Sequence, residues 1–278
     1  MRLRNAPLVH VLAQVTFPPV PDWAEREGEL RAKLYNAGFQ RYRPAEMREV
    51  TVEFPAQGAP PAVQHRVASF AEFIERDERF AFQSGPSSFV LHSTGYRGFD
   101  HFLQLATRGL QLLGESMGVR LVDRIGLRYV DLIQVQDGER LSNFVSPGLL
   151  GFPFREARHL GVSQVAFMTH SAGITEIGTL AVRSMVLPPG RFVPQDLDIG
   201  GLRPPGHVDA KLPSLALDFD HYTIFSGPAA SLPPLDYDVD RIGAHLQALH
   251  QTVRAAFDAV VTEHAISTWG GWEDIGEE

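Results

Sequence analysis

Segments that alternate apolar and polar residues cluster in this chain and are joined by turn signals more often than by helices. That pattern constrains the fold most. From Pro7 to Phe17, Val9, Val11, Ala13, Val15 and Phe17 share one face of a strand. Leu8, His10, Leu12, Gln14 and Thr16 take the other. MREVTVEF (47–54) alternates in the same way. RFAFQSGPSSFVLHSTGY sets two short β runs around Ser84-Gly85-Pro86-Ser87, which reads as a hairpin with a four-residue turn. A long strand follows from Leu121 to Val135. A second hairpin is expected around Ser171-Ala172-Gly173, with arms 162–170 and 174–187, and LALDFDHYTIF (215–225) is a further strand. Arg66 to Phe73 fits strand or helix. Clustered strands disfavour parallel βαβ winding, so the expected class is α+β: mainly antiparallel sheet packed by long amphipathic helices.

Three stretches carry the helical period. Pro18, Pro19 and Pro21 end the first strand, Asp22 and Glu25 form a capping-box pattern, and Trp23, Leu30, Leu34 and Ala37 make a stripe closed by Gly38. Phe99, Phe102, Leu103, Ala106, Leu110, Leu113 and Met117 recur at steps of three and four, closed by Gly118. Asp238 or Asp240 caps the last helix, whose stripe runs from Ile242 to Val260. The result is two related-looking halves, 1–145 and 155–278, as two units or one continuous domain. A long loop rich in proline and glycine spans 188–212.

Composition excludes some chemistry. The chain has no cysteine, which removes disulfides, thiolate nucleophiles and cysteine-ligated metals. No segment reaches the length of a membrane-spanning apolar run, and the start lacks a cleavable signal pattern, so a cytoplasmic protein without a membrane partner is expected. A net charge of −8 disfavours nucleic acid. There is no GxSxG elbow, no phosphate-binding glycine loop and no HExxH helix. His245 and His250, five apart on a helix, diverge. No cofactor and no metal are therefore expected.

The candidate site residues centre on RIGLRYVDL (124–132). Arg124, Gly126 and Arg128 share one face, with the arginines roughly 13 Å apart along the strand. The leading expectation is that carboxylates from the second half, Asp218 and Asp220, pair with them, with Arg183 in the same layer. The alternative uses Arg124, Arg128 and Arg183 to hold an anionic or phosphorylated ligand and Asp218 and Asp220 as acid/base groups or Mg²⁺ ligands. Arg97 in GYRGF could hold an anion at a helix start. Trp269 and Trp272, in a glycine-rich tail, either fold back or meet a partner.

Five segments carry a further signal: NAPLVHVLAQVTFPP, FQSGPSSFVLHSTGYRGFDHFL, DRIGLRYVDLI, SLALDFDHY and LHQTVRAAFDAVVTEHAISTWG. Together, in that order, they resemble a sporadically distributed family of uncharacterised bacterial proteins. The resemblance implies carriage on defence-related loci, with toxin-immunity roles as an analogy, and assigns no residue a role. The expected function is non-catalytic binding of another macromolecule, a protein or a second copy of the chain. The small-molecule or Mg²⁺-dependent hydrolase reading stands as the alternative.

Overall fold

The computed structural model describes residues 2–53, 62–135, 138–150 and 168–273. Nine strands form one antiparallel sheet. In chain order they are β2 (Leu8–Thr16), β3 (Arg41–Glu53), β4 (Ala62–Ile74), β5 (Phe80–Gly85), β6 (Ser88–Ser93), β8 (Arg124–Ile133), β9 (Met168–Thr175), β10 (Gly178–Leu187) and β11 (Ser214–Ile224). Two-residue strands pair separately: β1 (Arg2–Leu3) with β13 (Trp272–Glu273), and β7 (Leu121–Val122) with β12 (Leu235–Asp236). The large sheet runs β3-β4-β5-β6-β2-β8-β11-β10-β9. Its centre, β2 against β8 against β11, joins strands from both stretches of sequence, so one sheet crosses the boundary near 145–155.

One face of the sheet is covered by helices. α1 (Trp23–Asn36) packs on α2 (Phe99–Met117), which packs on α3 (Val239–Val260); a short α4 (Glu263–Thr268) follows. Val11, Ala13, Val15, Ile125, Leu127, Leu217 and Phe219 point into this layer and meet Leu30, Leu34, Phe102, Leu113, Ile242, Leu246 and Leu249. Alternation in the strands and the three-to-four spacing in the helices converge on one core. Asp238 caps α3 by accepting from the Asp240 and Arg241 amides. The capping box expected at Asp22 does not form: Asp22 lies at φ 59°, and its side chain makes no cap bond.

The hairpin turns differ from the sequence reading. β5 runs through Ser84 and Gly85, leaving Pro86-Ser87 as the turn. β9 passes straight through Ser171-Ala172-Gly173, and the chain reverses at Glu176-Ile177, with Thr175 paired to Gly178. Small residues are compatible with a strand as well as a turn, and the neighbouring backbone decided between them. The ambiguous 66–73 stretch lies within β4. The strand expected over 121–135 is interrupted at Asp123, whose amide and carbonyl bond Thr16 and Phe225 outside the sheet ladder.

The other face is crossed by residues 188–212, here called the strap. Phe192, Leu197 and Val208 pack on Val9, Val130, Leu132, Leu187 and Ala216. Ile199 and Leu202 pack on Ile74 and Ala81. Thr94 donates to the Arg203 carbonyl at 2.7 Å and Gln134 to that of Asp209 at 2.8 Å.

Candidate functional site

Beneath and beside the strap, the helix-free face carries a row of polar side chains running from β3 to β10. On β4, Glu72 is fully buried, and four groups converge on it. Arg43 of β3 pairs with it at 2.8 Å, Gln83 of β5 donates at 3.3 Å, His92 of β6 sits at 3.2 Å, and the Gly201 amide of the strap donates at 3.1 Å. Burial works against ionisation of Glu72, but the His92 and Arg43 contacts outweigh it and its pKa is lowered. His92 Nδ1 lies 3.3 Å from Nε2 of His10 on β2. Burial, followed by the repulsion of His92 and Arg128, holds the His10 pKa well below the usual histidine range, so His10 is neutral.

Arg128 continues the row on β8. Its Nε donates to Asp218 Oδ1 at 2.7 Å and Nη2 to Asp218 Oδ2 at 2.8 Å. Nη1 and Nη2 also donate to the two oxygens of Asp196, at 2.9 and 3.1 Å. Arg183 of β10 reaches Asp218 at 2.8 Å and Asp196 at 3.5 Å. Asp218 is fully buried, whereas the Asp196 side chain, on the strap, is 53% exposed. Burial would lower the Arg128 pKa, but the bonds to Asp218 and Asp196 reverse this and raise it. The strands are set so that Asp220, not Asp218, stands directly opposite Arg128; the buried pair is diagonal.

Farther along β8, where the strap does not reach, Arg124 lies flat on the sheet. It donates to Gln14 at 2.6 Å, stands 3.6 Å from Asp220, and its guanidinium carbon is 4.6 Å from the Tyr222 ring centroid. Burial lowers the Arg124 pKa and raises that of Asp220, each against the pull of its partner. Gly126 leaves the room: a β-carbon there would stand 2.7 Å from Arg124 Nη1. The glycine between two arginines is thus a resting place for the first of them.

The structure therefore brings Arg124, Arg128, Arg183, Asp218 and Asp220 onto one face: the Arg124–Asp220 and Arg128–Asp218 pairs join the stretches before and after the 145–155 region, and the Arg183–Asp218 pair lies within the second. The other three candidates lie elsewhere. Arg97 is exposed beside the start of α2, away from this row. Trp269 is a correction: it is buried, 6.1 and 6.2 Å from Phe144 and Phe257 between ring centroids, so it belongs to the core and is closed to a partner. Trp272 also folds back, pairing its backbone with Leu3 and lying under Arg254.

Glu72, His92, His10 and Asp196 were not singled out from the sequence. The first three are polar residues on the weaker face of otherwise apolar strands, and that position is their signal. Asp196 sits in an aperiodic loop and gives none. No group of three or more histidine and carboxylate side chains among the described residues is arranged to hold a metal ion. No helix among them is long and apolar enough to cross a membrane. Comparison with protein-family models, curated proteins and solved structures finds no match to this chain.

Proposed function

We propose that this chain is a non-catalytic recognition protein of the bacterial cytoplasm, binding another protein through the strap-free part of the sheet around Gln14, Arg124, Asp220 and Tyr222. The observation that carries the reading is where the charges go. Both oxygens of Asp218 accept from arginines, three donors in all on a fully buried carboxylate, and Glu72 is enclosed by four donors. Charges committed to one another suit a rigid scaffold better than acid/base or Mg²⁺ chemistry. The strap-free patch offers an aromatic ring, an arginine and an amide at intermediate exposure, the residue types that anchor interfaces. The family resemblance supports a defence or toxin-immunity setting for that partner. A second copy of the chain is the other protein partner this patch could take.

The test is recovery of the tagged protein from its native host, alongside Arg124→Glu and Tyr222→Ala. The reading expects one stoichiometric partner, lost in both variants while their melting temperatures stay near the parent's. Monodisperse protein recovered alone, or a partner indifferent to both substitutions, would refute it.

A further inference from the structure

We propose that the fork formed by Arg128 and Arg183 is a receptor for a carboxylate group, and that Asp196 occupies it in cis. Three observations carry this. First, the two carboxylates on the fork are unlike in standing. Asp218 is supplied by the sheet and has no exposure, so it is a permanent member of the layer. Asp196 comes from an irregular segment, meets both terminal nitrogens of Arg128 in a bidentate bond, and keeps 53% of its side chain exposed. It is held as a bound carboxylate ligand would be held.

Second, the charge count leaves room for one negative charge. Arg128 and Arg183 bring two positive charges, and Asp218 cancels one. The surrounding charges are already matched: Asp220 faces Arg124, Glu72 faces Arg43, and His10 is neutral. A single carboxylate completes the balance, whereas a phosphate dianion would overshoot it. Third, Arg183 Nε is buried with no hydrogen-bond partner among the described residues, an unspent donor on the same guanidinium that touches Asp196.

Exchange does not require the strap to leave. Its seating depends on Leu202, Ile199, Phe192 and Leu197 against the sheet and on the Gly201 amide at Glu72. Rotation of the half-exposed Asp196 side chain alone would free the fork. The incoming group is a carboxylate, from a small acid or from an acidic side chain of a polypeptide. The inference goes beyond the recognition reading and holds with or without it.

The test is an NMR titration of the arginine Nε–H resonances of the full chain with sodium acetate, a blocked single-aspartate tripeptide and inorganic phosphate. Asp196→Ala is compared with the parent, and the Gly201 amide resonance reports whether the strap stays seated. Asp196→Asn gives the same comparison if alanine unseats it. Saturable shifts of Arg128 and Arg183 are expected with acetate in the variant. In the parent they should be about tenfold weaker, because the tethered Asp196 competes at high effective concentration. Arg183→Gln added to the variant should abolish them. Equal affinity for acetate and tripeptide marks an isolated carboxylate as the ligand, and tighter tripeptide binding marks a polypeptide source. No saturable shift in either Asp196 variant, or a marked preference for phosphate, overturns the proposal. Because no partner is needed, this outcome is independent of the co-purification result.

Discussion

Arg124 lies over Gly126, with its Nη1 2.7 Å from the place a β-carbon would occupy. The obstacle is the far end of a flexible side chain, so Gly126→Ala should displace Arg124 and leave the strand intact. The lost Gln14 bond is offset by the better strand propensity of alanine, so the unfolding free energy should change by less than about 1 kcal/mol. Binding by the surrounding patch should fall as it does in Arg124→Glu. Urea denaturation together with a pull-down checks both halves of this expectation.

Asp218 is shared by two arginines in a buried layer, and removing one member of such a group leaves uncompensated charge. Asp218→Ala should cost about 3–5 kcal/mol. Replacing the cluster at once, as Asp218→Leu with Arg128→Met and Arg183→Leu, should recover most of that loss, since a well-packed apolar layer can substitute for a buried ion pair. Chemical denaturation of both variants measures it; a triple variant as unstable as the single one contradicts this account.

Buried Asp131 and half-buried His250 should tilt the pH–stability curve in opposite directions. Burial raises the Asp131 pKa from 3.8 to about 7. The unfolded chain then ionises before the folded one as pH rises, so Asp131 lowers stability progressively from about pH 4 to 7. Asp131→Asn should therefore gain roughly 2–4 kcal/mol at pH 8 and nothing below pH 4.

Burial, followed by the Arg254 charge, lowers the His250 pKa from 6.5 to about 4. Here the unfolded chain takes up the proton first as pH falls, so the His250 contribution is complete above pH 6.5 and is lost toward pH 4. His250 accepts or donates at Tyr129 Oη (3.0 Å) and stacks on Phe99 at 3.9 Å. His250→Gln should be less stable than the parent at pH 8, with the gap closing by roughly 2–3 kcal/mol at pH 4. Thermal unfolding across pH 3.5–8.5 would follow both differences.

The strap depends on a glycine pair. Gly200 sits at φ +60° against the Glu72 carboxylate, with no space for a side chain, and Gly201 touches Ile74. Gly200→Ala should lift the strap and cost roughly 1–3 kcal/mol through strain and lost packing. Limited proteolysis should then cut first within 188–212. Unchanged resistance there would show that the glycines are dispensable.

The charged layer was legible in the sequence because strands have a two-residue period. Arg128, Asp218 and Arg183 fall on one face by counting alone, and opposite charges on neighbouring strands find each other. Counting could not reveal that the pair would be diagonal, since register is set by how β2, β8 and β11 align. The α2 and α3 stripes were legible for the same reason, at the helical period. The contribution of Asp196 was not, because the strap has no period and its place depends on apolar contacts made far away in the chain. The sequence left Trp269 open between the core and a partner, because a glycine-rich tail has no period of its own; the pairing of β1 with β13 returns it to the core. The Ser171-Ala172-Gly173 turn failed because small residues do not specify where a strand ends.

The adjacency of β8 and β11 has a consequence for the integrity of the chain. Separated between Leu150 and Met168, the first fragment would present a bare β8 border and the second a bare β11 border, each a ready template for indiscriminate strand addition. Mixed together, each is the other's best partner. Severed pieces are thus expected to reassemble sooner than persist as independent modules.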